Sequence, residues 1–426
     1  MEDAAARRAR HVRPRHGRRH ERARLLRPGV LARRARLAGP REARRPVRAA
    51  ERGRRPDRRP HQGARGARLD HHHRRRRAGA PDGRRRPGGP GRHCVSRTAL
   101  ITGVAGQDGT YLARHLVSLG YTVVGTTMPG APHPLRPYLP EIVLEELDLR
   151  DTADLRRLVE QHAPDEIYNL AAMTQVNECW ANPALAHEVN AHAVDRMLEA
   201  VHELAPETRV LQPSTSQIYG TAAPSPQDET TPHDPRNPYA ESKSLAHRSA
   251  VERRERDGLP VSVAILYNHE SPLRGPEFVT RKITRAAAEI AAGKRDRITL
   301  GNLDTSRDWG AATDYVVAMH AILQHDEPMD FTVATGTLHS LRELVDVAFG
   351  AAGLADPWSY VQHDADLLRQ ADTPGLLGDP TRIRDTLGWE ATTSFEAMVE
   401  EMVRVDVARI ESGIEETSAF LSTSDA

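Results

Sequence analysis

The sequence predicts an α/β fold in which helices cover both faces of a parallel sheet, a doubly wound arrangement. From residue 96 onward, short apolar runs alternate with longer segments in which apolar residues recur every three or four positions. A glycine-rich turn follows the first apolar run, and a Tyr four residues before a Lys occurs at Tyr239 and Lys243. Alternation of strands and helices favours parallel strands joined by right-handed crossovers.

Six strands are predicted before residue 268, each a short run rich in β-branched and other apolar residues. They cover residues 98–102, 122–126, 142–147, 166–170, 210–213 and 261–266. The segments between them have helical periodicity, as in Leu112, Leu116 and Leu119. Residues 96–267 are therefore predicted to form one Rossmann-like domain.

The pattern changes after residue 268. Helical segments and polar loops dominate there, with one clear later strand at residues 330–334. We interpret residues 268–414 as a smaller substrate-binding part that is partly interleaved with the first domain. Residues 415–426 are interpreted as a polar tail.

The net charge of +2 hides two unlike parts of the chain. Residues 1–95 contain 32 Arg, 8 acidic residues and no Lys, a balance of +24, whereas residues 96–426 have a balance of −22. Because the first part also lacks Phe, Trp, Tyr and Ile, it cannot bury enough apolar surface to offset chain entropy. We expect a disordered extension without function. Nucleic acid is not expected as a partner, since no aromatic residues are interleaved for base stacking.

The cysteine content and the hydropathy exclude several classes of protein. The two cysteines, Cys94 and Cys179, are too few for a disulfide framework or a four-Cys metal site. No run approaches the ~20 apolar residues of a membrane span, and the apolar core of a signal peptide is missing. The acidic body therefore favours a cytoplasmic enzyme, and we expect neither a metal site nor a membrane partner.

The glycine turn at residues 103–109 follows the first strand and precedes a helix. Gly103, Gly106 and Gly109 have the spacing G-x-x-G-x-x-G. The first allows a tight turn, the second lets backbone N–H groups approach a pyrophosphate, and the third lets the helix pack closely. We predict that this turn, including Gln107 and Asp108, binds a dinucleotide.

The ends of later strands supply further candidate contacts to that cofactor. Asp148 and Leu149 end the third strand, where an adenine would lie. The end of the fourth strand offers small residues where a ribose and a nicotinamide must pass. The cofactor-binding candidates there are Leu170, Ala171, Ala172 and Thr174.

The end of the second strand normally selects between NAD and NADP. An acidic residue holds the ribose hydroxyls of NAD, and an Arg accepts the 2′-phosphate of NADP. The run at 125–128 is Gly-Thr-Thr-Met and offers neither. The cofactor is therefore expected to be NADP or NAD.

Tyr239 and Lys243 are predicted to lie one turn apart on one face of a helix. An ammonium near a phenol favours the phenolate, so we expect the pKa of Tyr239 to be lowered from about 10. The phenolate could then remove a proton from a sugar hydroxyl while hydride leaves the same carbon. The preceding run Ser-Thr-Ser-Gln-Ile-Tyr-Gly at 214–220, at a strand end, supports this catalytic interpretation.

These motifs resemble those of extended short-chain dehydrogenase/reductases that act on nucleotide sugars. Longer runs are similar to the GDP-mannose 4,6-dehydratases, and the resemblance covers roughly residues 97–405. The runs are YNHESP at 267–272, FVTRKITR at 278–285, LGNLD at 300–304, RDWG at 307–310, DYV at 314–316, LLGDP at 376–380 and LGW at 387–389.

The resemblance implies roles for individual residues. Thr215, Tyr239 and Lys243 would be catalytic, and His269 and Arg274 would contact the cofactor together with Tyr239 and Lys243. The positions matching the nucleotide-sugar site are Asn268, Lys282, Arg307, Arg369 and Asp372. Arginine suits a diphosphate because its planar fork pairs with phosphate oxygens. The implied partner is GDP-mannose or a related GDP-sugar, and the implied assembly is a homo-oligomer, a dimer or a tetramer.

The family pattern also implies a reaction. Tyr239 would take the C4 hydroxyl proton as hydride leaves C4, a base would remove the C5 proton, the C6 hydroxyl would leave as water, and hydride would return to C6. The product would be GDP-4-keto-6-deoxymannose, formed by internal hydride transfer without net redox change.

The sequence departs from the family in three places. Gln217 stands where the family has the Glu that removes the C5 proton, and a neutral amide cannot act as that base. Asp372 replaces a Glu, and the Arg-rich segment that the family has after the second strand is missing around residues 127–132. Glu241 and Glu270 are sequence-level candidates for a substitute base.

Two other functions stay open at this point. Gln217 favours an NAD(P)-dependent reductase or epimerase of a GDP-linked sugar that omits the dehydration. A nucleotide-sensing or nucleic-acid-associated protein could keep the fold and use the basic extension, but the presence of Tyr239 and Lys243 disfavours it.

Overall fold

The computed structural model describes residues 96–220, 225–364 and 375–421, all of which belong to one compact unit. The predicted disordered extension, residues 1–95, lies outside the described residues, and so do Arg369 and Asp372.

The strands and helices alternate along the chain. The strands are β1 Thr98–Thr102, β2 Thr122–Thr127, β3 Val143–Glu146, β4 Glu166–Asn169, β5 Arg209–Thr215, β6 Val261–Leu266, β7 Asn268–Glu270, β8 Ile298–Leu300, β9 Ser306–Ala311, β10 Asp330–Val333, β11 Leu338–Ser340 and β12 Val361–His363. The α-helices are α1 Gln107–Ser118, α2 Thr152–His162, α3 Val176–Ala181, α4 Pro183–His187, α5 Ala193–Leu204, α6 Pro238–Asp257, α7 Val279–Ala291, α8 Ala312–Gln324, α9 Leu341–Ala351, α10 Thr381–Leu387 and α11 Phe395–Ser412.

The main sheet has seven parallel strands in the order β10-β6-β5-β4-β1-β2-β3. All six residues of β6 are buried. This is expected for a parallel strand that helices cover on both faces, because such strands have mainly apolar residues along their whole length. The predicted strands 98–102 and 261–266 are confirmed at both ends.

Helices cover both faces of this sheet. Successive residues of β1 point to opposite faces, so Leu100 joins the apolar core under α2, α5 and α6, whereas Ile101 joins the core under α1, α8 and α10. The predicted doubly wound α/β fold is therefore confirmed.

The chain after residue 268 builds a second layer and also returns to the first. β11, β9 and β7 form a three-stranded sheet, β12 pairs with β8, and α7, α9 and α11 pack around a separate core. Between these elements, α8 covers the main sheet and β10 extends it beside β6. The sequence predicted one strand here, near residues 330–334, and the other five strands were not predicted.

The segment interpreted as a polar tail contributes to the core. Phe420 and Leu421 are buried against Leu135 and Tyr138, in a small cluster that also contains Val405 of α11. Within the described part of the chain, no helix is both long enough and apolar enough to cross a membrane.

Candidate active site

The predicted site residues gather at the carboxyl ends of the parallel strands. The chain proceeds from β1 to β2 and β3 on one side, and from β4 to β5 and β6 on the other, so the order reverses between β1 and β4. Such a reversal opens a crevice in which doubly wound sheets bind ligands. At this crevice, the segments that follow β1 and β4 touch: a Cβ atom at Gly103 would lie 2.9 Å from the Cα of Ala171.

The glycine turn after β1 has the geometry that the spacing predicted. Gly103 has a positive φ of +68°, which favours glycine. A Cβ at Gly109 would lie 2.5 Å from the Gly103 carbonyl oxygen, so only glycine lets α1 start this close to the turn. Gly106 precedes α1 without a side-chain cap, and the N–H groups of the first helical turn remain available to an anion.

Asp108, in the first turn of α1, is joined to His269 of β7. His269 Nε2 lies 2.9 Å from Asp108 Oδ2, and its Nδ1 donates to the Tyr267 carbonyl over 2.8 Å. Burial alone would raise the pKa of Asp108, but His269, Gln107 and Arg274 outweigh it and lower the pKa to about 2. Burial alone would lower the pKa of His269, but Asp108 raises it above its usual value.

Gln107 completes this junction between the turn and the segment after β6. Its Nε2 donates to Asp108 Oδ1 over 3.0 Å and to the His269 carbonyl over 3.2 Å. Its Oε1 accepts from the Ser271 hydroxyl over 2.8 Å. The residues predicted to contact the cofactor from two distant parts of the sequence are therefore in direct contact.

The segment after β4 is fixed by buried polar residues that sequence reasoning missed. The Ala171 N–H donates to Thr102 Oγ1 over 3.1 Å. Asn190, buried in the π-helical turn Glu188–His192 between α4 and α5, accepts from the Met173 N–H and donates to the Met173 carbonyl, over 2.8 and 2.9 Å. Its amide also donates to Ser242 of α6 over 3.1 Å. A π-helical turn often marks a functional site, but helical periodicity alone does not show it.

The other predicted cofactor contacts differ in their burial. Leu170 packs against the core beneath α1, Leu149 packs against the opposite core, and Ala172 is half-buried. Thr174 is exposed. Asp148 forms a two-point ion pair with Arg150, with Nη2 to Oδ2 at 2.6 Å.

Tyr239 and Lys243 lie in the first two turns of α6. Lys243 is 5% exposed, and burial lowers its pKa to about 8, with no charge among the described residues to offset that cost. Burial also raises the pKa of Tyr239 to about 12, and the Thr215 hydroxyl and Arg274 oppose that rise only in part. The structure thus gives the opposite direction to the lowered phenol pKa expected from the motif, because burial outweighs the neighbouring charges.

Gln217 lies in a short 3₁₀ helix, Ser216–Tyr219, directly after Thr215. Its Oε1 accepts from the side-chain amide of Asn237 over 3.2 Å. The two carboxylates considered as substitute bases are engaged elsewhere. Glu270 accepts from the Thr280 hydroxyl over 2.7 Å and pairs with Arg274, and Glu241 is 50% exposed and faces His187.

Arg274 lies between the cofactor turn and the second layer. Its Nε is 3.0 Å from Glu270 Oε2, and its guanidinium carbon lies 3.6 Å from the centroid of the Phe278 ring. The positive charge of Arg274 lowers the pKa of both Asp108 and Tyr239. Arg274 therefore interacts with the predicted cofactor turn and with the predicted catalytic tyrosine.

The predicted substrate contacts lie in the second layer. Asn268 begins β7, and Lys282 of α7 donates to the Thr299 carbonyl of β8 over 2.8 Å. Arg307 of β9 is half-buried, and its backbone forms an isolated parallel β-bridge with Leu376. The neighbouring Asp308 is fully buried and accepts hydrogen bonds from Thr335, Gly336 and Gly378, which fixes this strand.

The arrangement combines a helix N-terminus that has no side-chain cap with the Thr215 hydroxyl and the Tyr239 phenol, which can exchange a proton. Among residues 96–220, 225–364 and 375–421, no group of three His, Cys, Asp or Glu side chains could hold a metal ion.

Comparison with known proteins identifies the family. A family model described as GDP-mannose 4,6 dehydratase matches residues 100–402. The chain is 41% identical to GDP-mannose 4,6 dehydratase 2 of Arabidopsis thaliana, covering 73% of this chain and 87% of the relative. It is 40% identical to GDP-mannose 4,6-dehydratase of Yersinia enterocolitica, covering 73% and 94%.

A solved structure supports the fold. UDP-glucose 4-epimerase of Thermus thermophilus in complex with NAD superposes with a TM-score of 0.65 at 25% identity, covering 73% of this chain and 99% of that one. The resemblance stated from the sequence motifs is confirmed, because the family model spans most of the chain and the relatives match along most of their own length. The chain belongs to the GDP-mannose 4,6-dehydratase family.

Proposed function

We propose that this protein is a GDP-mannose 4,6-dehydratase that converts GDP-mannose to GDP-4-keto-6-deoxymannose. The observation that carries the proposal is the position of Tyr239 and Lys243 at the start of α6, beside Thr215 and within range of the charge on Arg274. Membership of the family supports the substrate, since the relatives named above carry this activity in their names.

A nicotinamide dinucleotide fits the crevice. The positive φ of Gly103 and the close approach of Gly109 leave an open cradle at the start of α1, where a pyrophosphate would lie against backbone N–H groups. When bound, this cofactor supplies a reversible hydride acceptor. We propose NADP or NAD, because β2 ends in Thr126 and Thr127 and so offers neither an acidic residue nor an Arg to the ribose.

The chain's own residues then have defined tasks. The Tyr239 phenol exchanges the proton of the C4 hydroxyl of the sugar. The Thr215 hydroxyl donates a hydrogen bond to the oxygen of that C4 hydroxyl. The Lys243 ammonium holds the ribose of the cofactor. Asn268, Lys282, Arg307, Arg369 and Asp372 bind the GDP-sugar, with Arg307 and Arg369 on the diphosphate.

The second candidate function is supported by Gln217. An amide at this position cannot remove the C5 proton, and Glu241 and Glu270 are engaged elsewhere. A reductase or epimerase of a GDP-linked sugar needs the hydride chemistry without the C5 base. We further propose that the protein is a homo-oligomer located in the cytoplasm. Light scattering of the purified protein would test the oligomeric state, and fractionation of the producing cells would test the location.

One experiment separates the two candidates. The full-length protein is incubated with GDP-mannose and either NADP⁺ or NAD⁺, and the nucleotide-sugar is followed by chromatography coupled to mass spectrometry, which separates isomers of equal mass. A dehydratase gives a product lighter by one water without net accumulation of reduced cofactor. Stoichiometric reduction of the cofactor, or an isomer of unchanged mass, would replace the dehydratase proposal with the second candidate.

A further inference from the structure

A buried group of charged side chains lies at the junction of α7 and α11. Asp406 of α11 is 1% exposed and pairs with Arg281 of α7 at 2.8 Å and with Arg409 of α11 at 3.1 Å; both arginine side chains are 3% exposed. Thr284 donates to the same carboxylate over 2.8 Å. We call Arg281, Thr284, Asp406 and Arg409 the C-terminal charge cluster.

The two arginines do more than neutralise Asp406. Arg281 Nη1 donates to the main-chain carbonyls of Pro272 and Arg274 over 2.8 and 2.9 Å. Arg409 Nη2 donates to the Pro272 carbonyl as well, over 2.9 Å. Three hydrogen bonds from two charged side chains therefore converge on two carbonyls of one short loop, more than those carbonyls need to be satisfied.

The held loop is the one that faces the cofactor turn. On its other side, the Ser271 hydroxyl donates to Gln107 Oε1 over 2.8 Å, at the start of α1. Arg274 at the loop's end acts electrostatically on Asp108 and Tyr239. The loop 271–274 is thus fixed between the first turn of α1 and the C-terminal charge cluster.

The cluster also reaches the segment between β2 and β3. Arg409 Nη2 donates to the Tyr138 hydroxyl over 3.2 Å and pairs with Glu416 at 2.8 Å, and the Tyr138 hydroxyl donates to Glu416 in turn. Tyr138 lies in the segment between β2 and β3, and its carbonyl accepts from Arg114 of α1. The C-terminal charge cluster therefore connects the loop 271–274 with the segment that contains Tyr138, and both of these contact α1.

We propose that Asp406 is a positioning residue for cofactor binding: by orienting Arg281 and Arg409, it holds the loop 271–274 against the start of α1. The inference rests on the proposed function in placing a nicotinamide dinucleotide at this turn. Asp406 touches neither the cofactor turn nor Tyr239; it acts through the two arginines. Loss of its charge would release the fork of at least one arginine and let the loop move away from Gln107.

The test is Asp406→Asn in the full-length protein, which keeps the side-chain shape and removes the charge. The matched control is Glu400→Gln, an exposed carboxylate on the same helix. Binding of NADPH and NADH is measured by fluorescence titration, binding of GDP by calorimetry, and unfolding by thermal melting.

We expect the cofactor Kd of Asp406→Asn to rise roughly tenfold or more, with GDP binding changed less than about twofold. Turnover at saturating cofactor should stay close to wild type, so that the loss lies in KM for the cofactor.

A purely structural role gives a different result. Either the melting temperature falls while cofactor binding is unchanged, or the affinities for cofactor and GDP fall by the same factor, and each outcome overturns the proposal. If Asp406→Asn does not fold, Arg409→Lys serves instead, since it keeps the positive charge beside Asp406 but loses the fork that reaches Pro272. It should weaken cofactor binding selectively as well, and wild-type binding in it would overturn the proposal.

The outcomes distinguish this inference from the proposed function. A wild-type protein that binds neither NADPH nor NADH overturns both. A wild-type protein that binds a cofactor but leaves GDP-mannose unchanged overturns the dehydratase proposal alone, and the comparison with Asp406→Asn still decides the role of the cluster.

Discussion

The side-chain amide of Asn237 donates to Oε1 of Gln217 over 3.2 Å, while its Oδ1 accepts from the Ala240 N–H over 2.9 Å. One side chain thereby caps α6, which carries Tyr239, and fixes the residue at position 217. The interaction needs only an acceptor at position 217, and a carboxylate would provide it equally well.

Gln217→Glu should therefore fit the site and increase the rate of water loss from GDP-mannose. The substitution is nearly isosteric, keeps the hydrogen bond from Asn237 and adds a base where the family has one. We expect a gain of at least about tenfold if the wild-type elimination is limited by removal of the C5 proton. Mass spectrometry of the nucleotide-sugar over time measures it.

The control is Gln217→Met, which has a similar length but no base and should show no gain. A wild-type protein that is already fast, and that Gln217→Glu leaves unchanged or slows, would show that position 217 does not face C5.

Tyr239→Phe should lower turnover by roughly 10²–10⁴-fold, the loss typical of a missing acid–base group. The ring volume is preserved, so cofactor binding should change little. Steady-state kinetics and a cofactor titration measure the two effects separately. Turnover close to wild type would refute the role of Tyr239 in proton transfer.

Lys243→Met should stabilise the ligand-free protein while abolishing turnover. Burial lowers the pKa of Lys243 to about 8 from 10.5, so its charged form is disfavoured in the folded state. At pH 7 the lysine is charged in both states, and the shift corresponds to a cost of about 3 kcal/mol. We expect the variant to gain on the order of 1–3 kcal/mol in the free energy of unfolding at pH 7.

The sign of the pH dependence follows from the lowered pKa. As pH rises from 8 towards 10.5, folded Lys243 loses its proton before the unfolded chain does, so the cost in the wild type disappears. The stability difference between Lys243→Met and wild type should shrink over this range in urea unfolding. A destabilised variant at pH 7 would mean that Lys243 is stabilised by contacts other than its charge.

Asp108→Asn should remove a pH-dependent contribution to stability. The folded pKa of Asp108 is about 2 against an ordinary 3.8, so its contribution of about 2 kcal/mol is present above pH 4 and lost as pH falls towards 2. His269, whose pKa is raised, loses the same ion pair as pH rises through its folded pKa. Urea unfolding should show the largest difference from wild type near pH 5, and a constant difference from pH 3 to pH 8 would contradict the ion-pair origin.

Deletion of residues 1–95 should leave the melting temperature and turnover unchanged. These residues carry no aromatic side chain and no Ile with which to build a core. A shortened chain that begins at Ser96 keeps the hydrogen bond from the Ser96 hydroxyl to the Gly120 carbonyl at the start of the sheet. A clear fall in either quantity would assign the extension a structural or catalytic role.

The strands of the main sheet could be predicted because their own residues are enough to identify them. β1 and β6 are apolar runs buried on both faces, and the predicted ends match the structure. β9 could not be predicted, since it contains the charged pair Arg307 and Asp308. Asp308 can be buried because Thr335, Gly336 and Gly378 donate hydrogen bonds to its carboxylate. These donors are distant in sequence, so the residues around position 308 do not predict the burial.

In the candidate site too, features that depend on local sequence could be predicted, whereas features that depend on distant segments could not. The glycine spacing at 103–109 describes one local turn, and its geometry follows the prediction. The pKa of Tyr239 depends on burial by the whole fold, and the one-turn spacing to Lys243 predicted the wrong direction. Asn190 was missed because its role arises from two separate segments, at Met173 and Ser242.

The pairing of β10 with β6 also constrains how the molecule is assembled during synthesis. A nascent chain that ends near residue 267 contains six of the seven strands, but the edge of β6 has no neighbour and the helices α8 and α10 that cover one face do not yet exist. Such an unpaired apolar edge is prone to intermolecular pairing. The domain of the seven-stranded sheet therefore completes its fold only after residue 387, the end of α10, has left the ribosome, and fragments cut at residue 267 should be aggregation-prone.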